Sequence, residues 1–299
     1  MSFTKTFAEL TAALVRENCS LGELALREQE SESDRPRDEI AAEFVRRIGL
    51  MRAAVRQGTA QATPTLSGMV GMTARQVMNG PAPFGDLVRR ACAYALATNE
   101  ESARMERIVA CPTAGASGTV PGCLLAYADE YKVADEQLVA PMAAAGKIGA
   151  LIGARATLSG ARGGCQAEVG VASAMGAAAL AELIGGAHPG SGPMAIHAAA
   201  LALKNSLGLV CDPIAGLVEV PCVKRNAIYA LHSIAAAQLA LSGVTSVVPM
   251  DEVVAAMVSI GDLMHPALKE SAEGGLATTI TGIQITKKLQ TITWESLGK

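Results

Sequence analysis

The apolar half of this chain is built almost without aromatic rings: 50% of its residues are hydrophobic, only 3% are aromatic, and 30 are glycine. The apolar mass is therefore Ala, Val, Leu, Ile and Met. Small side chains let helix axes approach closely, and Ala and Leu favour helix, whereas a β-sandwich draws on Tyr, Phe, Trp and Thr. With 299 residues the chain has enough length to bury a substantial core. The composition predicts an all-α, mainly helical protein. It is read as one domain over 1–299, with an N-terminal helical part (1–60) and a larger part (61–299) that carries the unusual loops.

Periodicity fills in the outline. Phe7, Leu10, Leu14 and Val15, then Leu21, Leu24 and Leu26, predict a helix over 7–29. The polar run 30–37 contains Pro36 and predicts a break, after which Asp38 is the expected N-cap of a helix carrying Ile40, Phe44, Val45, Ile48 and Leu50. A softer stretch covers 58–71, and 79–83 breaks the chain again before a helix through 87–96. The only strand candidates are 218–220 and 244–248. The long apolar stretches 169–187 and 227–250 carry Glu182, His232 and Gln238 among many small residues, so they read as core helices and not as membrane spans. A net charge of −3 without a long basic run argues against nucleic acid. The polar opening has no signal-peptide pattern, and seven cysteines, an odd number, fit reduced thiols in a cytoplasm.

The loops hold the chemistry. In PTAGASG (112–118), Gly115 and Gly118 permit close backbone approach, Thr113 and Ser117 supply hydroxyls, and exposed N–H groups in such a turn form a nest for an anion or carboxylate. It is no P-loop, because no GxxxxGK[ST] is present. The structural alternative is a tight turn between packed helices. Cys165 follows Gly163 and Gly164 at the start of a helical segment, Cys211 precedes Asp212 and Pro213, and Cys222 follows Pro221. Each alone reads as a small buried hydrophobe. Together, three thiolates from separate loops can hold three irons of a [4Fe–4S] cluster and leave the fourth free. Zinc competes, although CxxC knuckles are absent.

Four stretches give these residues a family setting: PTAGASGTVPG (112–122), GGCQAEVGVASAM (163–175), NSLGLVCDPIAGLVEVPCVKRNA (205–227) and, less closely, SGMVGMTARQVM (67–78). Over about residues 60–299 the chain resembles the α subunit of the bacterial iron–sulfur L-serine dehydratases of two-subunit type. The resemblance implies an all-helical fold, a [4Fe–4S] cluster on Cys165, Cys211 and Cys222, and a substrate site at Thr113, Ala114, Gly115, Ser117 and Gly118. It also implies a β subunit as partner in a hetero-oligomer, L-serine as substrate, and pyruvate and ammonia as products. Departures accompany it: the Ser-His-Thr motif of single-chain relatives is missing, Ala114 stands where some relatives have Asn, the closing ESLGK carries no cysteine, and 67–78 lacks the second of two adjacent glycines.

Serine dehydration must remove a weakly acidic α-proton and a poor leaving group. Pyridoxal phosphate would need a lysine and a phosphate cup, and Lys147, Lys204 and Lys224 sit in no such motif, so that cofactor is not expected. An open iron would act as Lewis acid on the departing hydroxyl. The catalytic base is not assigned: His188, His197, His232 and His265 each read as structural, and the resemblance places part of the proton chemistry on the β subunit. Lys224 and Arg225 are candidates to offset the cluster's charge. The other readings are a cluster-dependent lyase or desulfidase acting on cysteine or a similar small amino acid, and a non-catalytic iron–sulfur sensor.

Overall fold

The computed structural model describes residues 4–186 and 190–291. Thirteen α-helices occur there: α1 (Phe7–Glu17), α2 (Leu21–Ser33), α3 (Arg37–Ala60), α4 (Thr73–Asn79), α5 (Asp86–Ala103), α6 (Thr119–Tyr131), α7 (Val139–Gly153), α8 (Gly160–Gly163), α9 (Val169–Gly185), α10 (Ser191–Lys204), α11 (Cys222–Leu241), α12 (Met250–Leu263) and α13 (Ile280–Gln290). Short 3-10 turns join some of them, and the described residues contain isolated β-bridges but no strand. The all-α expectation holds.

α9 is the axis of the packing. Every residue from Val169 to Glu182 is buried, and α6, α7, α10 and α11 surround the helix. A helix that is apolar on all sides belongs in a core. The segment Cys165–Gly185 is the one described helical stretch long and apolar enough to cross a membrane, and 83% of its apolar window is buried within the protein. Absent side chains make this crowding possible. A Cβ at Gly176 of α9 would lie 2.7 Å from Cys123 Sγ on α6 and 2.9 Å from Ser233 Oγ on α11. One continuous apolar cluster runs from Phe7 through Met257, joining α1 and α3 to the same core as the later helices.

Some boundaries differ from the sequence reading. The helix expected over 7–29 is two helices, because Asn18 adopts a left-handed conformation (φ 47°) and Ser20 caps α2 by accepting from the Glu23 N–H. The apolar spacing suits both pieces, so periodicity alone does not reveal the break. The break at 30–37 is narrower than expected: α2 continues to Ser33, and Pro36, not Asp38, precedes the first helical residue of α3. Asp38 lies inside that first turn, where its charge complements the helix dipole. α3 also continues to Ala60, into the stretch read as soft. Residues 218–220 form a turn and 244–248 a loop between α11 and α12, so neither strand candidate is a strand. Residue 187, His188 and the closing ESLGK lie outside the described residues.

Where α3 crosses α5, a Cβ at Gly58 would lie 2.5 Å from the Ala97 carbonyl oxygen and 2.7 Å from Ala97 Cα. Gly58→Ala gains about 1 kcal/mol of helix propensity, but it forces two backbones apart, a clash of about 1–3 kcal/mol. Net loss of stability is expected, read as a lower midpoint in chemical denaturation; an unchanged or raised midpoint would show that the crossing tolerates a methyl group.

Candidate active site

At the N-terminal end of α9 a second apolar cluster gathers Ala116, Cys165, Val169, Ala172 and Cys211, with Leu209 and Tyr229 packed against it. Three chain segments meet here, each held by long-range hydrogen bonds. Gly164 (φ 74°) turns the chain into a 3-10 turn, Cys165–Ala167, ahead of α9. Gln166 fixes that turn: its N–H donates to the Leu209 carbonyl (3.1 Å), its Oε1 accepts from the Gly208 N–H (2.9 Å), and its Nε2 donates to the Gly163 and Met257 carbonyls (both 2.9 Å). Cys211 is pinned on both sides. Its N–H donates to the Leu268 carbonyl (2.9 Å), and its carbonyl accepts from the Glu270 N–H (2.7 Å). Cys222 is the first residue of α11.

The thiols of Cys165 and Cys211 and a carboxylate oxygen of Glu168 all lie within 4.8 Å of one another. Cys222 is buried beyond this tight triad, close enough for Cys165, Glu168 and Glu270 to act on it; its pKa is pushed up to about 12, first by burial. A hydrogen bond from Cys211 holds the Cys165 thiol below its usual range, and Arg225 acts in the same direction. Cys211 is raised by that same hydrogen bond and by burial. Arg225 donates to the Val210 carbonyl (2.9 Å) and to Asp212 Oδ1 (3.2 Å) and its charge lowers the Cys165 thiol, so it is the cation that faces the thiols. Lys224 instead sits in the field of Glu100 and Glu219. Cys19 lies between α1 and α2 and Cys92 within α5, away from this group.

The donor set suits a soft metal or an iron–sulfur group. Glycine is required beside it: a Cβ at Gly160 would lie 3.0 Å from Cys211 Sγ and 2.7 Å from Glu168 Oε2, so a side chain there would displace the donors.

The loop at 112–118 joins this group through one bond, from Thr113 Oγ1 to Glu168 Oε1 (2.9 Å). Its far side is anchored from below. Asn99 of α5 donates from Nδ2 to Ser117 Oγ (2.8 Å) and to the Ala114 carbonyl (3.3 Å). Asn226 of α11 accepts at Oδ1 from the Gly118 N–H (2.9 Å) and Thr119 Oγ1 (3.1 Å), and donates from Nδ2 to the Gly115 carbonyl (2.8 Å) and the Cys222 carbonyl (3.0 Å). Ser117 and Gly118 are thus buried and committed to holding the loop. The N–H groups of Thr113, Ala114 and Gly115 have no acceptor among the described residues, which leaves three successive donors on the outer side of the loop.

The described histidines are engaged elsewhere. His232 Nδ1 pairs with Ser173 Oγ (3.0 Å), His197 Nδ1 accepts from the Ser246 N–H (3.2 Å), and His265 Nδ1 accepts from the Ala267 N–H (3.1 Å). Sequence reasoning missed Glu168, Asn226 and Gln166. The signal for Gln166 and Glu168 was a polar side chain inside the otherwise small and apolar motif GGCQAEVG; Asn226 follows Lys224 and Arg225 and carried no such signal, only its place one helical turn after Cys222.

A family model described as "Serine dehydratase alpha chain" matches residues 16–277. The chain belongs to the serine dehydratase alpha chain family. It is 44% identical over 261 residues to the "Probable L-serine dehydratase, alpha chain" of Bacillus subtilis, covering 86% of this chain and 85% of that one. It is 41% identical over 267 residues to the "L-serine dehydratase, alpha chain" of Peptoniphilus asaccharolyticus, covering 88% and 90%. The "L-serine dehydratase 1" of Escherichia coli is 44% identical over 190 residues, which are 62% of this chain but 41% of that protein. For this serine dehydratase alpha chain, the matched span contains the loop, all three sequence-predicted thiols, Glu168 and Asn226.

Removing the Asn226 amide would strand the buried Gly118 N–H and Thr119 hydroxyl and free the part-buried Gly115 carbonyl. Asn226→Ala is expected to lower stability by about 2–4 kcal/mol, from unpaired buried groups at about 1–3 kcal/mol each. Thermal denaturation checks this; a loss below about 0.5 kcal/mol would show that water replaces the amide.

Proposed function

We propose that this chain is the α subunit of an iron–sulfur-dependent L-serine dehydratase. It would convert L-serine to pyruvate and ammonia in a cytoplasmic hetero-oligomer with a β subunit. The observation that carries the reading is the single bond from Thr113 to Glu168: it joins a thiol-rich donor group to a loop with three free N–H donors. A site for a metal group and a site for an anionic ligand therefore share one wall. The names of the relatives point to the same reaction.

Cys165, Cys211 and Cys222 would hold a [4Fe–4S] cluster, with Arg225 offsetting negative charge beside Cys165. Bound there, such a cluster supplies a Lewis-acidic iron for the departing β-hydroxyl. The N–H groups of Thr113, Ala114 and Gly115 receive the substrate carboxylate, which fixes the Cα between loop and thiols. Asn99 and Asn226 keep those donors aimed outward. Proton removal falls in part to the β subunit, since the described histidines are held by structural bonds. A second reading, favoured by the tight Cys165–Glu168–Cys211 triad, is a single divalent ion on two thiolates and a carboxylate.

Anaerobic purification with the partner separates these readings. The cluster reading expects about four irons and four sulfides per chain and thiolate-to-iron absorption in the visible; a single ion would give no sulfide. Pyruvate should form from L-serine without added pyridoxal phosphate. Cys165→Ser, Cys211→Ser and Cys222→Ser should each lose iron and activity, while Cys19→Ser keeps both. Activity should decay in air and return with ferrous iron and a reductant. An enzyme still fully active after prolonged aerobic dialysis against an iron chelator would sink the proposal.

A further inference from the structure

Glu168 is not explained by holding metal or loop alone. Its Oε1 accepts the Thr113 hydroxyl, but no donor reaches Oε2 and no lysine or arginine pairs with the carboxylate among the described residues. A half-buried carboxylate without a cation is costly to keep. The groups around it deepen that cost. Cys165 and Cys211 lie beside it, Glu270 acts on it from the 268–270 segment, and Arg225, the one cation among the described residues whose field reaches it, is bonded to Val210 and Asp212 instead. A cationic ligand would relieve this imbalance.

Two glycines pack directly against the carboxylate. A Cβ at Gly115 would lie 3.1 and 3.2 Å from its two oxygens, and one at Gly160 would lie 2.7 Å from Oε2. Glycine at both positions lets backbone lie against the carboxylate while supplying no side chain to pair with it. The nearest part of the loop is the stretch whose N–H groups are free. Donors for an anion thus stand next to an acceptor for a cation. An α-amino acid zwitterion carries both charges on one carbon and matches that pairing; a simple carboxylic acid or a simple amine satisfies only half of it.

We infer that Glu168 receives the α-ammonium group of the substrate and sets the preference of the site for an amino acid over its deamino counterpart. The inference rests on the dehydratase reading above and adds the residue that recognises the amino group. It also gives the open Oε2 a partner, with Thr113 fixing the carboxylate through Oε1.

Glu168→Gln tests it in the anaerobic holoenzyme, because glutamine keeps the shape and the acceptor for Thr113 but loses the charge. KM for L-serine should rise about 10- to 100-fold, the range for losing a charged hydrogen bond, with a much smaller change in kcat. Iron and sulfide content should be unchanged. Calorimetry without turnover gives a second readout: the wild type should bind L-serine well above 3-hydroxypropionate, which lacks only the amino group, and Glu168→Gln should shrink that ratio to a few-fold. An unchanged KM and an unchanged binding ratio would overturn the inference. So would loss of iron on substitution, which makes Glu168 a ligand, or a fall in kcat at constant KM, which makes it a proton carrier. A wild-type holoenzyme that forms no pyruvate from L-serine defeats the dehydratase reading instead. The calorimetric pair then still decides Glu168, since a wild type without preference for the amino compound overturns its role.

Discussion

Asn226 ties the loop at 112–118 to the first turn of α11, accepting from the Gly118 N–H and donating to the carbonyls of Gly115 and Cys222. With one amide serving both, any shift of the loop is felt at Cys222 and any shift of Cys222 is felt at the loop. The amide is wholly buried, so water cannot substitute for it without a cavity, and each bond carries the full cost of being unmade. Asn99 does similar work from α5, gripping Ser117 and the Ala114 carbonyl. Between these two amides the loop has no freedom to turn its free N–H groups inward.

Such amides reach the loop only because the helices carrying them come close. Gly122 of α6 shows how close: a Cβ there would lie 2.7 Å from Ala95 Cβ on α5 and 3.1 Å from Ala230 Cβ on α11. With Leu or Phe at these crossings, α5 and α11 would stand further from the loop, and short side chains such as Asn could not span the gap. The near absence of aromatic residues is thus a condition for the polar site and not only for the packing of the core. Density and function pull in the same direction here.

The sequence made the helical class and the thiols legible for local reasons. Ala and Leu dominate, and Gly or Pro stands within two residues of each of Cys165, Cys211 and Cys222, so each sits at a break in the helical background. The split of the first helix was not legible, because Asn18 in a left-handed turn leaves the apolar spacing intact. Glu168 and Asn226 were harder still. Asn226 meets Gly115 across 111 residues and Gly118 across 108, and no local pattern encodes a partner that far away. In the sequence Glu168 is a polar residue in a run of small and apolar ones and Asn226 merely follows Lys224 and Arg225, the same signal given by an ordinary surface position. Only the fold shows that Asn226 faces inward and that Glu168 stands between the thiols and the loop.

The thiols also depend on parts of the chain that carry no thiol. Cys211 is fixed by backbone bonds to Leu268 and Glu270, and its neighbour Asp212 accepts from the Leu276 N–H while holding Arg225. Gly275 (φ 57°) is required at that point, since a Cβ there would lie 2.5 Å from Asp212 Oδ2. The segment 268–276 is therefore a brace for Cys211, as Gln166 is for Cys165 and Asn226 for Cys222. A zinc knuckle folds around its metal because paired ligands sit within a few residues of each other. Here each thiol comes from a different segment, and each segment is already fastened by bonds that involve no metal. Ligands placed in advance lose less entropy on binding. The cost of ordering the thiols is met by the folding of the whole helical core, which would leave their affinity available for the metal group proposed above.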